Sequence, residues 1–368
     1  MERKIVFGNW EVIAILINVI CTKIFLNFPR TAVEQGGTAS WIFTIYISLL
    51  AFLGFYIIQK LYKPMEGKDL IDIGEYIGGS AGRIITGSII IFFLAWVTVV
   101  YVRTFSENMK IVALTNSPLS FVELFFLVCM ITGAYLGLEA IARFHAIAVP
   151  FIAAGFMLIM IGVSNYMNFS FLLPVLGTGV YNIFGRGFLK LSVFAELLLL
   201  FLLAPFIKTH KNLRVAGYTA LGLSSFFLFI SALVFTAVLP FPTAVERVIP
   251  IFQLARLINY GRFFQRIESV FVVIWAAASL LFVTINFFLI LNTFKKTFKL
   301  EYYRPLIFPF AVLIMNISLL PTNLIDAVKL EVTYFRNWAW VVTFGMTIVL
   351  LLIVRFRENK PKKHRPTT

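Results

Sequence analysis

Apolar residues run along this chain in ten blocks, separated by short polar or basic stretches. The blocks fall at 10–28, 41–59, 84–102, 121–138, 146–163, 189–207, 215–239, 267–292, 306–320 and 338–354. Most reach the roughly 20 residues a helix needs to cross a bilayer core; the ninth is short. They are continuous runs, not the period-two alternation of barrel strands, so helices are expected. The pattern predicts an all-α polytopic membrane protein with about ten transmembrane helices. Residues 1–355 form one membrane domain and 356–368 a basic tail. The N-terminal span lacks a small-residue cleavage site and reads as retained. Five spans on either side of the loop before the sixth give halves of about 1–163 and 164–355. Because five is odd, those halves must point in opposite directions, which is the arithmetic of an inverted repeat.

Composition sharpens the class. Of 368 residues 60% are hydrophobic, 41 are Phe, and only 13% are charged, against roughly 25% in soluble domains. That excludes a soluble enzyme, a nucleic-acid-binding domain and a disordered chain. The net charge of +15 writes topology. Of 32 Lys and Arg, 20 fall on the N-terminal side of the membrane, 11 on the other and Lys23 inside a span, so both termini are expected in the cytoplasm. Cys21 and Cys129 lie in apolar runs with no metal spacing, so neither a disulfide nor a metal is expected. His145, His210 and His364 are read as scattered over cytoplasmic loops and the tail. No catalytic triad, metal motif or ATP-binding loop is present, so the chain reads as a non-enzyme without a cofactor, and primary active transport by it alone is excluded.

Charged residues inside hydrocarbon are costly and mark function by default. Lys23 and Glu196 stand out. Counted from the outer ends of the first and sixth spans, they lie about 7.5 and 10.5 Å deep. Opposite charges at similar depth can pair; alternatively Lys23 snorkels outward and Glu196 is a neutral acid bonded to a carbonyl. The outer half of the first span is polar throughout, with Asn18, Cys21, Thr22, Lys23, Asn27 and Pro29. That suits either an unwound backbone or ordinary helix–helix bonding. Thr98 and Tyr101 share a face of the third span, as ligand contacts or, for Tyr101, as part of an interfacial belt. Arg266 and Glu268 open the eighth span ahead of Trp275, as a helix-entry ion pair or a gate. Glu11 and Asn286, near inner ends, read as solvated or locally bonded. Of the two long outer loops, 165–188 reads as a turn-rich connector or a lid. The other, 240–266, reads as containing an amphipathic interfacial helix.

Several segments in order resemble a known family. They are Phe28-Pro29-Arg30, Ala39-Ser40-Trp41-Ile42, Pro174-Val175-Leu176-Gly177-Thr178-Gly179, Glu196, Phe264-Gln265-Arg266-Ile267-Glu268-Ser269 with Trp275, and Lys295-Lys296-Thr297-Phe298. The chain resembles the B-subunit permease of spore germinant receptors, within the amino acid/polyamine/organocation transporter superfamily. The resemblance implies a LeuT/APC-like fold of two inverted five-helix halves, with a small-molecule site between the first, third, sixth and eighth helices. It implies the spore inner membrane, an A subunit and a lipoprotein C subunit as partners, and an amino acid, sugar or nucleoside ligand. Where the family often has Gly-x-Gly, this chain has Thr22-Lys23-Ile24, implying a different ligand or Lys23 in a cation site. The same fold suits a nutrient-sensing subunit, a proton-coupled or exchanging permease, or a structural subunit with a vestigial cavity.

Overall fold

The computed structural model describes residues 8–259 and 267–358. Among the described residues the fold is all helical. Seven helices are long and apolar enough to cross a membrane; the other apolar segments are shorter or broken. In chain order the elements are α1 (Asn9–Cys21), a 3₁₀ turn (Thr22–Phe25), α2 (Phe28–Gly36), α3 (Ser40–Tyr62), α4 (Leu70–Val112), α5 (Leu119–Leu136) and α6 (Leu138–Gly162). The second half holds a π turn (Tyr181–Gly185), a 3₁₀ stretch (Arg186–Leu197), α7 (Leu198–Leu202), α8 (His210–Val238), α9 (Phe241–Val245) and α10 (Pro250–Leu257). It closes with α11 (Glu268–Thr297), α12 (Ile307–Ser318), α13 (Leu324–Lys329), a π turn (Leu330–Phe335), α14 (Arg336–Trp340), another π turn (Val341–Met346) and α15 (Thr347–Glu358).

α1 is apolar on every face, so it must be central; Val12 through Cys21 are all buried. It packs against α6, α8 and α11. α11 is the other axis, with α4, α5 and α6 laid along it. Gly87, Gly133 and Gly155 each face an α11 side chain so closely that a Cβ would stand within 2.6 Å of it. In lipid, where no hydrophobic drive pulls helices together, such close backbone approach supplies packing energy. The outward faces of α5 and α6 carry Phe125, Leu136, Phe144 and Phe151, all exposed, as lipid solvation requires.

Several boundaries differ from the sequence expectation. The third span extends to 70–112, the fifth starts at Leu138 and the tenth segment starts at Leu324. His145 is therefore not in a cytoplasmic loop. It is fully buried in α6, with Nδ1 2.8 Å from the Ile141 carbonyl. Glu139 and Arg143 made that first turn and a half look like a loop; they instead pair with each other at 2.5 Å on the helix exterior. Among its described residues, 240–259, the second long loop holds two short helices. α10 packs its apolar face on α11, α8, α2 and the 3₁₀ turn after α1, with Ile251, Leu254 and Ala255 buried. Asn286 is bonded locally, its Nδ2 2.8 Å from the Phe282 carbonyl.

A polar clamp joins α4 to α11 at the end opposite the outer loops. Asp69 caps α4 through Ile71 N and Asp72 N in a capping box. Lys296 of α11 lies 2.6 Å from both Asp69 and Asp72, and Arg83 and Lys299 hold Glu75 at 2.6 and 3.0 Å. Burial pushes the Asp69 carboxyl above the usual aspartate range; Lys296 pulls it back and Asp72 adds to the rise. A raised folded-state pKa gives stability that is full below the unfolded value and lost as pH rises through the folded one. Lys296→Gln removes the pull downward and should steepen that loss. Its thermal midpoint in detergent should fall below wild type most at neutral pH and converge with it in acid. Parallel pH profiles for the two proteins would show that Lys296 does not hold Asp69.

Candidate functional site

The first and sixth segments both break in mid-course. After α1 the chain tightens into a 3₁₀ turn, leaves helical geometry at Leu26 (φ −98°, ψ −99°) and restarts at Phe28 with Pro29 in the first turn. Proline fits there because its missing N–H would be unpaired in any case. The break places Lys23 at 2% exposure inside the bundle. Across from it, the 3₁₀ stretch of the sixth segment offers carbonyls that a regular helix would have used itself.

Irregular backbone at this depth survives only where protein groups satisfy it, and three side chains do so here. Lys23 Nζ donates to the Val193 carbonyl. Arg336 Nη1 donates to the Ser192 carbonyl at 2.8 Å. Thr343 Oγ1 donates to the Ala195 carbonyl at 2.6 Å. Trp340 N adds a bond to Ser192 Oγ at 2.9 Å. The tenth segment thus splints the sixth.

The same cations meet two acids. Lys23 Nζ lies 2.5 Å from Glu196 Oε2. Arg336 Nη2 lies 2.9 Å from Glu196 Oε1 and its Nε 3.5 Å from Glu331 Oε1. Arg336 also donates to the Tyr101 hydroxyl, and Asn27 Nδ2 donates to Glu331 Oε2 at 3.3 Å. Two positive and two negative charges therefore balance in one buried cluster joining the first, third, sixth and tenth segments. Tyr101 is held in place by stacking on Phe282 of α11 at 4.4 Å.

The sequence singled out Lys23, Glu196 and Tyr101, and all three belong to the cluster. Thr98 does not: its hydroxyl donates to the Leu94 carbonyl of its own helix. Asn18 Nδ2 donates to the Ala278 carbonyl of α11 at 3.2 Å, and Thr22 Oγ1 to the Asn18 carbonyl. Asn18, Cys21 and Thr22 line a separate apolar cavity of about 30 Å³ with Phe25, Phe156 and Phe227. Glu268 sits half-buried in the first turn of α11, where a carboxylate favours the helix dipole; Arg266 lies outside the described residues. Trp275 is fully buried against Phe271.

Arg336 and Glu331 were missed. Arg336 was counted in an outer loop, because Asp326, Lys329, Glu331 and Arg336 made 324–336 look solvated. The usable signal was the apolar character of that stretch between its charges. A second crevice, about 20 Å³, is lined by Lys23, Asn27, Thr31, Lys190, Glu331 and Arg336. Lys190 closes its rim, bonded to Asn337 Oδ1 at 3.0 Å. Each cavity has room for a water molecule or two and no more, so the bundle stands closed around the cluster. Among the described residues no group of His, Cys, Asp and Glu could hold a metal ion.

Comparison with known proteins places this geometry. A family model described as spore germination protein matches residues 9–326. Spore germination protein YndE of Bacillus subtilis (strain 168) is 27% identical over 354 residues, covering 95% of this chain and 96% of that one. Spore germination protein B2 of the same organism is 22% identical over 281 residues, 75% of each chain. Among solved structures, MhsT in complex with L-phenylalanine superposes with a TM-score of 0.69 at 15% identity, covering 95% of this chain and 89% of MhsT. At that identity the likeness speaks for the fold: that of the inverted-repeat LeuT-like transporters.

Proposed function

Because the chain belongs to the spore germination protein family, we propose that it is the small-molecule-sensing subunit of a spore germination receptor. It is a membrane protein of transporter or receptor type, and its resting state is locked from within. The observation that carries this reading is the balanced cluster of Lys23, Glu196, Arg336 and Glu331, which ties both broken segments to the tenth. A transport cycle is usually served by a dissociable cation; here the positive charge at the first break is covalently part of the chain. A ligand entering between the first, third and sixth segments competes for these groups. It shifts the bundle only by its differential affinity for the open and closed states.

On this reading Lys23, Tyr101 and Glu196 contact the polar end of a small nutrient, such as an amino acid, sugar or nucleoside. Asn18, Cys21 and Thr22 flank the adjoining apolar space, and Thr98 supports Tyr101 from one turn away on the third segment. Arg336 joins that set, and Glu268 with Arg266 guards the entry to α11. The halves 1–163 and 164–355 move against each other and the basic tail 356–368 stays cytoplasmic. The Lys and Arg count supports that orientation, and burial of Arg103 and Arg336 takes two charges off its outer side. The names of the relatives support a role in spore germination; residence in the spore inner membrane beside an A subunit and a lipoprotein C subunit is what the resemblance to germinant-receptor B subunits implies. The runner-up, a secondary amino acid permease with proton coupling or exchange, is favoured by the likeness to MhsT with its bound L-phenylalanine.

Spores lacking this gene, screened against nutrient classes, separate the two. Loss of germination to one class supports the sensor. Intact germination with lost uptake of that nutrient supports the permease and overturns the sensor. In the sensor, Tyr101→Phe removes the hydroxyl proposed to bond the ligand, and a hydrogen bond to a charged ligand group is worth about 1.5–3 kcal/mol. The nutrient dose for half-maximal germination should rise about ten-fold or more at unchanged protein level. An unshifted dose response would remove Tyr101 from the site.

A further inference from the structure

A groove of about 650 Å³ opens between α5, α6 and α11, sharing no residue with the charge cluster. Its walls include Cys129 and Gly133 of α5, Ala140 and Phe144 of α6, and Ala277 and Thr284 of α11. Leu136 and Phe144 at its edge are about two-thirds exposed, so it faces lipid, not the bundle interior. Along α5 it spans positions 129–136 and along α11 positions 277–284, each about 10 Å of helix. A hydrocarbon core is roughly 30 Å thick, so the groove is shorter than one leaflet. A partner transmembrane helix would need a track through both leaflets. An acyl chain needs only one.

Two arginines stand beside the groove, one on α6 among its lining residues and one near the α5–α6 turn. Arg143, one turn beyond Ala140, is 72% exposed and reaches back to Glu139 at 2.5 Å. Arg304 lies with its guanidinium 5.2 Å over the ring of Tyr135, beside Leu136. Tyr303 anchors that corner, its hydroxyl donating to the Ala134 carbonyl at 3.2 Å. Apolar walls shorter than one leaflet, beside two arginines and an aromatic ring, match a lipid with a negative headgroup. We propose that this groove holds an acyl chain of an anionic phospholipid whose headgroup is met by Arg143 and Arg304. Glu139 is the built-in competitor for Arg143, so the lipid must displace a surface pair, which is weakly held.

The test is lipid retention on the purified, delipidated full chain, titrated with dioleoyl phosphatidylglycerol or dioleoyl phosphatidylcholine and read by native mass spectrometry. Phosphatidylglycerol should be retained more tightly. Arg143→Gln and Arg304→Gln should each weaken its retention about five-fold and together about twenty-five-fold, leaving phosphatidylcholine unchanged. Glu139→Gln should strengthen phosphatidylglycerol retention. Ala140→Phe fills the groove from a lipid-facing position and should lower retention of both lipids. Equal retention of the two lipids by wild type overturns the proposal. So does phosphatidylglycerol retention that survives the double arginine substitution or Ala140→Phe. A cross-linker at position 140 that captures another transmembrane chain, with no retained phosphatidylglycerol, would assign the groove to a partner helix instead.

Discussion

Arg336→Met will leave membranes with little or no folded protein, and adding Glu331→Gln will recover part of the loss. Arg336 serves four partners at once: Glu196, Glu331, the Tyr101 hydroxyl and the Ser192 carbonyl. Without it Lys23 still neutralises Glu196, but Glu331 is left as a buried acid with only neutral groups, Asn27 and the Tyr101 hydroxyl, beside it. Breaking one side of a buried pair costs about 3–5 kcal/mol. That is a large part of the 5–15 kcal/mol by which a typical native state is held. Arg336→Lys should fall between, because an ammonium cannot reproduce the guanidinium's fork. Glu331→Gln removes the stranded charge, so Arg336→Met with Glu331→Gln should be less harmful than the sum of the singles. The same holds for Lys23→Met with Glu196→Gln, which deletes one balanced pair and leaves Arg336 with Glu331. Protein level by immunoblot and thermal midpoint in detergent measure both cycles. Additive losses in both would mean that the four charges do not act as a unit.

Half of that cluster could be read from the sequence, for a physical reason. Lys23 and Glu196 are single charges in apolar runs, where cost makes a charge conspicuous. Arg336 and Glu331 share their stretch with Asp326 and Lys329, and a run of charges normally means water. What keeps 330–346 in the bundle is a set of bonds to Ser192 and Ala195, 144 to 148 residues away. Periodicity within one segment carries no trace of such partners. His145 was misplaced in the same way, by two charges that face outward from the helix bearing it. The membrane class was legible because composition alone requires lipid; the transporter-like fold was an expectation from the family resemblance. The break in the first segment was only half legible: Thr22, Lys23, Asn27 and Pro29 suit an unwound backbone, but also ordinary helix–helix bonding. The 3₁₀ course of 186–197 was not legible, since its residues are good helix formers and only the waiting donors stabilise the other geometry.

Gly177→Ala should unlatch the outer wall of the site. The loop before the sixth segment folds down on the α2–α3 turn. Thr178 N donates to the Gly36 carbonyl at 3.3 Å, Thr178 Oγ1 to the Gln35 carbonyl at 2.7 Å, and Thr38 Oγ1 to the Pro174 carbonyl at 2.5 Å. Gly177 sits at φ +44°, and a Cβ there would lie 1.9 Å from the Gly36 oxygen and 2.9 Å from Ala39 N. Those are backbone atoms and cannot swing aside, so the loop or the turn must move. Left-handed backbone costs an L-residue about 1–2 kcal/mol, and overpacking adds about 1–3 kcal/mol. Gly179 provides the control, since its φ of +99° is also unfavourable for alanine but nothing lies within 4 Å of its Cβ position. Gly179→Ala should therefore show the backbone strain without the collision. Because α2 is the outer half of the broken first segment, its release should expose Thr31, which lines the crevice with Lys23 and Arg336. A Thr31→Cys reporter should then react faster with a membrane-impermeant thiol reagent in the Gly177→Ala background than in wild type or Gly179→Ala. The thermal midpoint should fall further as well. If the two glycine variants label and melt alike, contact with Gly36 is not what holds the outer loop, and the closed crevice must owe its shape to the charge cluster alone.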